Sequence, residues 1–271
     1  MRRKHYKEFL KSRLILLLAV LALEGVSALA LYHNQAANSV ISSGFSPKIA
    51  EVLEPDDPRI YFKIGNYFFE GGNYNLTEAE RAFDKTLELS GGKYKGANYQ
   101  LSRVYFIEGN FFEALKSIDR EIELYPDFKR SYYVRGLIHG YSGKLTEAEG
   151  DFKEFLKWKP GSWAGYNDLV WVYFRAGDFK NAEKYAKHGL TFAPRNPWLL
   201  NSLGVALLNL GKYEEAAKHL EEALIIFEQM GPEDWGKAYP GNDPGIYKIG
   251  YTKTLETIEK NLKLAEEKLK P

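Results

Sequence analysis

Glycine recurs at Gly109, Gly143, Gly177 and Gly211, alanine at Ala114, Ala148, Ala182 and Ala216, and proline at Pro126, Pro160 and Pro194. Phe111, Leu145, Phe179 and Tyr213 keep the same step of 34 residues. Four columns in register at one period mean that the chain is built by stacking copies of one small unit. That constrains the fold more than any other feature, because a unit of this size cannot bury its own apolar face and must lean on its neighbours.

Each column has a physical reason. In the stretch 163–194, Leu169, Val170 and Tyr173 fall on one face of a first helix, and Ala182, Ala186, Gly189 and Leu190 on one face of a second. Gly177 between them suits a left-handed residue that ends the first helix. Asp178 is placed to cap the second, and Thr77-x-x-Glu80 and Thr146-x-x-Glu149 read as capping boxes in other units. Pro194 stops the second helix. Small residues, Ser102, Gly136 and Gly204 in one column and the alanines in the other, let paired helices approach closely.

On these residues the chain resembles the tetratricopeptide repeat family, whose pattern runs large apolar, Leu-Gly, Tyr, Gly-x-Tyr, Ala, Phe, Ala, Pro. The resemblance implies an all-α fold, a right-handed superhelical solenoid of stacked antiparallel helix pairs, with about five units and capping helices. The units run 58–94, 95–128, 129–162, 163–196 and 197–228. The first fits through Ile64-Gly65, Phe68, Gly72, Ala79 and Phe83, with extra residues near 72–75 and 91–93, and the last has Glu228 where the terminal proline would be. Ser46-Pro47 opens a capping half-repeat over 46–57, since proline at the first helical position is tolerated. Residues 229–245 hold three prolines and several glycines and read as a loop. Its Trp235 and Tyr239 either fold over a groove end or pin the loop onto the last helices. Residues 246–271 form a capping helix with Tyr251, Leu255, Ile258, Leu262, Ala265 and Leu269 in one stripe.

The amino terminus is a separate object. Residues 1–13 carry six Lys/Arg and one Glu, a net of +5, and precede LILLLAVLALEGVSALALY at 14–32. Nineteen helical residues span roughly 28 Å, enough for a bilayer core. The central Glu24 opposes insertion by roughly 3 kcal/mol, which the Leu, Ile and Val residues offset. A transmembrane signal-anchor is expected, with the basic head in the cytoplasm and the repeats outside, followed by a linker at 33–45. The alternative is a signal peptide cleaved near Ala30, at the small-x-small site Ala28-Leu29-Ala30.

The first helices carry a second stripe beside the core one: Phe62, Asn66 and Phe69; Tyr99, Arg103 and Phe106; Tyr133, Leu137 and Tyr141; Asn167, Trp171 and Phe174; then Asn201, Val205 and Leu208. The i, i+4, i+7 spacing puts each set on one face. In the family this face lines the concave side and holds peptides. Aromatics there suit gripping a chain, and Arg103 and Arg175 suit a carboxylate. Part of the stripe is also packing between neighbouring units. The family's lysine for an acidic chaperone tail is missing from the column of Phe62, Tyr99, Tyr133, Asn167 and Asn201, and the column Lys63, Gln100, Val134, Asp168, Ser202 gives no clear asparagine ladder.

A non-catalytic, membrane-tethered module that binds a protein or peptide at the cell envelope is therefore expected, with a self-associating assembly subunit as the alternative. Lys plus Arg number 37 against 36 Asp plus Glu, so no broad basic nucleic-acid footprint is expected. There is no cysteine, and the five histidines show no metal-ligand spacing. No cofactor or metal is expected, and the 43 residues after 228 are too few for a catalytic domain.

Overall fold

The structure, a computed structural model, describes residues 47–70, 74–239 and 242–270. Among these residues are 13 α-helices, one 3-10 turn and no strand. The basic head, the apolar segment 14–32, the linker and Ser46 lie outside the described residues, as do Gly72 and Asn73 of the first inter-helix turn. Among the described residues no helix is long and apolar enough to cross a membrane.

Helix α1 (Pro47–Leu53) precedes five antiparallel pairs: α2 (Pro58–Glu70) with α3 (Leu76–Leu89), α4 (Ala97–Ile107) with α5 (Phe111–Leu124), α6 (Arg130–Tyr141) with α7 (Leu145–Trp158), α8 (Trp163–Arg175) with α9 (Phe179–Phe192), and α10 (Pro197–Asn209) with α11 (Tyr213–Glu228). Each first helix packs on its own second helix and on the second helix of the unit before it, so the array is an all-helical solenoid.

The turn inside each pair is the same device repeated. Gly109, Gly143, Gly177 and Gly211 have φ of 77°, 80°, 72° and 75°. The residue after each glycine donates its N–H back to the first helix, Asn110 to Tyr105 O (2.8 Å), Lys144 to His139 O (2.8 Å), Asp178 to Tyr173 O (2.9 Å) and Lys212 to Leu207 O (3.0 Å). This is the six-to-one bond that closes a helix end when the preceding residue is left-handed. Three second helices then start on a side-chain cap: Asn75, Asn110 and Asp178 accept from the backbone N–H three residues on. At the far end the C-cap residues Tyr125, Lys159 and Ala193 precede the prolines that forbid continuation. Where Glu228 replaces proline, α11 runs 16 residues against 14 for α9.

Two sequence expectations are corrected. Thr77 and Thr146 lie inside their helices, one residue past the start, so neither forms a capping box; Asn75 caps α3, and α7 starts at Lys144 with no side-chain cap. The acidic partners tie units together instead. Tyr105 Oη donates to Glu80 Oε1 at 2.9 Å and Tyr173 Oη to Glu149 Oε1 at 2.8 Å, each reaching from one unit to the preceding one. The second correction is at 229–245, which contains helix α12 (Pro232–Ala238) and a 3-10 turn (Pro244–Ile246). Both prolines stand at a helix start, where the absent N–H loses no bond, so they begin elements that the sequence pattern reads as broken.

The cap is completed by α13 (Tyr247–Leu269), which lies on α11. Ile258 and Ala265 are fully buried and Tyr251 Oη donates to the carbonyls of Phe227 and Met230, while Leu269, expected in the buried stripe, is half exposed. Trp235 of α12 is buried against α13, its Nε1 donating to Thr254 Oγ1 at 2.9 Å. Gly250 makes this possible, because a Cβ there would stand 2.2 Å from the indole. From the end of α12, Tyr239 packs on Trp235 (ring centroids 4.5 Å) and accepts from Trp198 Nε1 of α10 at 3.1 Å. Of the two alternatives for this segment, the contacts are those of pinning it onto the last helices.

Candidate functional site

The helices α2, α4, α6, α8 and α10 lie side by side, and the side chains predicted to form a binding stripe divide into two groups. The amino-terminal group is committed to neighbours. Phe62 packs on Tyr94 (ring centroids 4.9 Å) and Phe83 (5.7 Å), and Phe69 is buried beneath the Arg103 guanidinium, 4.6 Å from its ring. Arg103 bonds Glu70 and Gln100, and Asn66 accepts from Gln100 Nε2. Arg103, expected to meet a ligand carboxylate, thus braces α2 against α4. Tyr99 meets Phe128 edge-on at 5.1 Å.

The second group forms a continuous aromatic ribbon. Phe106 of α4 meets Tyr141 of α6 edge-on at 5.2 Å, and Tyr141 stacks on Trp171 of α8 at 4.8 Å and 29°. Arg175 covers the other part of Trp171 at 5.4 Å and is exposed. Tyr141 is 54% exposed, which is high for a ring with two aromatic partners. Gly140 sets the stack, since a Cβ there would lie 2.6 Å from the Trp171 ring. Phe174 is half-buried against Phe179 at 5.1 Å, and Leu137 is half-buried.

Beside the ribbon runs a set of polar rungs that the repeat pattern does not predict. Asn66 with Gln100 joins α2 to α4, Tyr133 Oη donates to Asp168 Oδ2 at 2.6 Å to join α6 to α8, and Ser202 Oγ donates to Asn167 Oδ1 at 2.8 Å to join α10 to α8. Asn201 continues the line, and its Oδ1 has no hydrogen-bond partner among the described residues. The sequence signal for Asp168 is an acid in the middle of the otherwise apolar helix YNDLVWVYF, and the signal for the rungs is a spacing of 34 or 35 between polar residues.

Asp168 dominates the local electrostatics. Burial pushes its carboxyl up to about 6, against the pull of the Tyr133 and Asn167 hydrogen bonds. Its charge in turn adds to burial in raising Tyr133, Tyr141 and Tyr239. Tyr239, pushed up to about 12 mainly by burial, stands beside Trp198, whose ring stacks on Trp163 at 5.1 Å. Further along the segment, the charge of Asp243 adds to burial in raising the hydroxyl of Tyr74.

Residues 133–197 and 197–229 each match a family described as tetratricopeptide repeat. Residues 133–229 are therefore tetratricopeptide repeats. Among curated proteins, the repeats are similar to those of TPR repeat-containing protein YpiA of Bacillus subtilis, 25% identical over 179 residues, which is 65% of this chain and 41% of YpiA. The human cell division cycle protein 16 homolog is 25% identical over 186 residues, 65% of this chain and 30% of that protein. The chain thus spans less than half the length of these relatives. Among solved structures, PilW, described as a widely conserved type IV pilus biogenesis factor, superposes with a TM-score of 0.64 at 15% identity over 74% of this chain and 94% of PilW. MamA from Desulfovibrio magneticus gives 0.54 at 19% identity over 61% and 96%. YrrB, described as a TPR protein with an unusual peptide-binding site, gives 0.53 at 16% identity over 67% and 92%. At these identities the likeness is one of fold. Among the described residues no group of three or more His, Asp or Glu is arranged to hold a metal ion.

Proposed function

We propose that this protein is a non-catalytic interaction scaffold that holds a segment of a partner protein against the first helices of its repeats, tethered at the cell envelope by residues 14–32. The observation that carries this reading is the ribbon Phe106–Tyr141–Trp171, which links three units and leaves Tyr141 half in solvent. Packing alone would bury such rings; stacked and open, they offer large contact area at little entropic cost, as binding hot spots do. The repeat folds it resembles support the same reading, one of them being described by its peptide-binding site.

The variant that tests it is Tyr141→Ala with Trp171→Ala. Segments captured from a displayed peptide library should bind the wild type and lose at least about tenfold in affinity to the variant. An unchanged helical circular dichroism spectrum would show that the fold persists, and equal affinity of both proteins would dismiss the ribbon as a binding surface. For the tether, a reporter fused after residue 271 that is active only outside the membrane should be active with the full chain and inactive when residues 14–32 are deleted. Retention in the membrane fraction separates an anchor from a cleaved leader near Ala30, which would release the repeats.

A further inference from the structure

Asp168 is out of keeping with its surroundings. The other rungs on this face, Asn66 with Gln100 and Asn167 with Ser202, join neighbouring helices with neutral groups. Hydrogen bonds from Tyr133 and Asn167 favour the carboxylate, but two neutral donors only partly offset the penalty of an enclosed charge. No lysine, arginine or histidine among the described residues pairs with it or offsets its charge. Arg175, two turns on along α8, lies over Trp171 and acts on Tyr141 instead. Tyr133 is bonded to the carboxylate, Trp171 stands one turn away on the same helix face with Tyr141 stacked on it, and the charge of Asp168 is felt at Tyr141 and Tyr239. A carboxylate among electron-rich rings is complementary to a cation on a flexible stem, through a charge-assisted hydrogen bond and ring-face attraction together.

From this arrangement we infer that Asp168 receives the cationic head of a lysine or arginine side chain from the bound segment, with the neighbouring rings gripping its stem. This rests on the peptide-binding reading above and gives it a chemical requirement: the ligand is basic at one position. It is the opposite polarity from the carboxylate that Arg103 suggested from sequence.

The test uses the full chain in detergent and an immobilised combinatorial peptide library. Recovered peptides are resynthesised with each arginine replaced by citrulline and each lysine by norleucine, and titrated into wild type and Asp168→Asn. One basic residue should matter, its neutralisation weakening binding to wild type by about tenfold or more and to Asp168→Asn by less than about twofold. Wild-type affinity for that peptide should also fall as pH drops through about 6, with Asp168→Asn flat over the same range. The titratable groups that feel Asp168, Tyr133 and Tyr141 from α6 and Tyr239 after α12, are all raised and do not titrate there. Peptides that bind with no basic requirement, or with the same requirement in both proteins, would overturn the inference and leave the scaffold intact. Recovery of acidic peptides would do the same. If the library yields no binder, the peptide-binding reading and this inference fall together.

Discussion

Single residues in this protein trade stability against use, and Asp168 shows it most directly. Its folded-state pKa of about 6 lies above the unfolded value near 3.9. The native state therefore favours the protonated form. That contribution is full below about pH 3.9 and is lost as pH rises through about 6. At pH 7.5 the ionised group costs the native state about 1–3 kcal/mol. Asp168→Asn keeps an acceptor for Tyr133, so its urea midpoint should exceed the wild type's at pH 7.5 and nearly match it at pH 4; a lower midpoint at pH 7.5 would contradict this. Asp151 is the opposite case. It is buried and bonded by Arg135 (2.7 Å) and His139 (2.9 Å), with Arg135 also reaching Asp119. Here the charge is compensated, and Asp151→Ala removes the forked tie between α6 and α7 and leaves Arg135 with Asp119 alone. We expect a loss of about 3 kcal/mol, read as a fall in Tm.

Between paired helices, the spacing is set by residues without side chains, and position decides the sign of a substitution. A Cβ at Gly204 of α10 would stand 2.6 Å from Leu220 of α11, both buried. Gly204→Ala should therefore destabilise by about 1–3 kcal/mol, because the pair must move apart. Gly150 sits in the middle of α7 with ordinary helical backbone, and a methyl group added there would have nothing within 4 Å. Gly150→Ala should stabilise by about 0.5–1 kcal/mol. Thermal melts of the two variants check both signs at once. The column Ser102, Gly136, Gly204 was readable from the sequence because close approach of paired helices needs a small residue at the crossing. Its purpose at Gly140 was not: that glycine makes room for Trp171, a residue of the next unit, and nothing local in the sequence connects them.

Across the full array, stacking makes each unit the cover for its neighbour, so the ends matter most. One side of α11 packs on α10, and α13, with Ile258 and Ala265 fully buried, covers another. A chain stopped after Glu228 should expose that face, bind a hydrophobic dye, and scatter light more strongly than the full chain at equal concentration; a monodisperse, dye-silent truncation would show that α12 and α13 are dispensable. Tyr239 reaches Trp198 of α10, so the expected loop is a structured segment that packs on the last unit.

The unit, its period, its turns and its order were all legible in the linear chain. They depend on interactions within a few residues: a left-handed glycine, a cap three residues from its N–H, a proline that cannot continue a helix. The core column followed too, since burial repeats with the helix period. Three-dimensional packing alone settled how the second stripe was shared out. Phe69 and Arg103 went to packing, while Tyr141 stayed open against a half-buried Trp171, and Asp168 was bonded to Tyr133 of the neighbouring first helix. Those outcomes depend on which side chains meet across units separated by a whole repeat, where distance in the chain carries no information about distance in space.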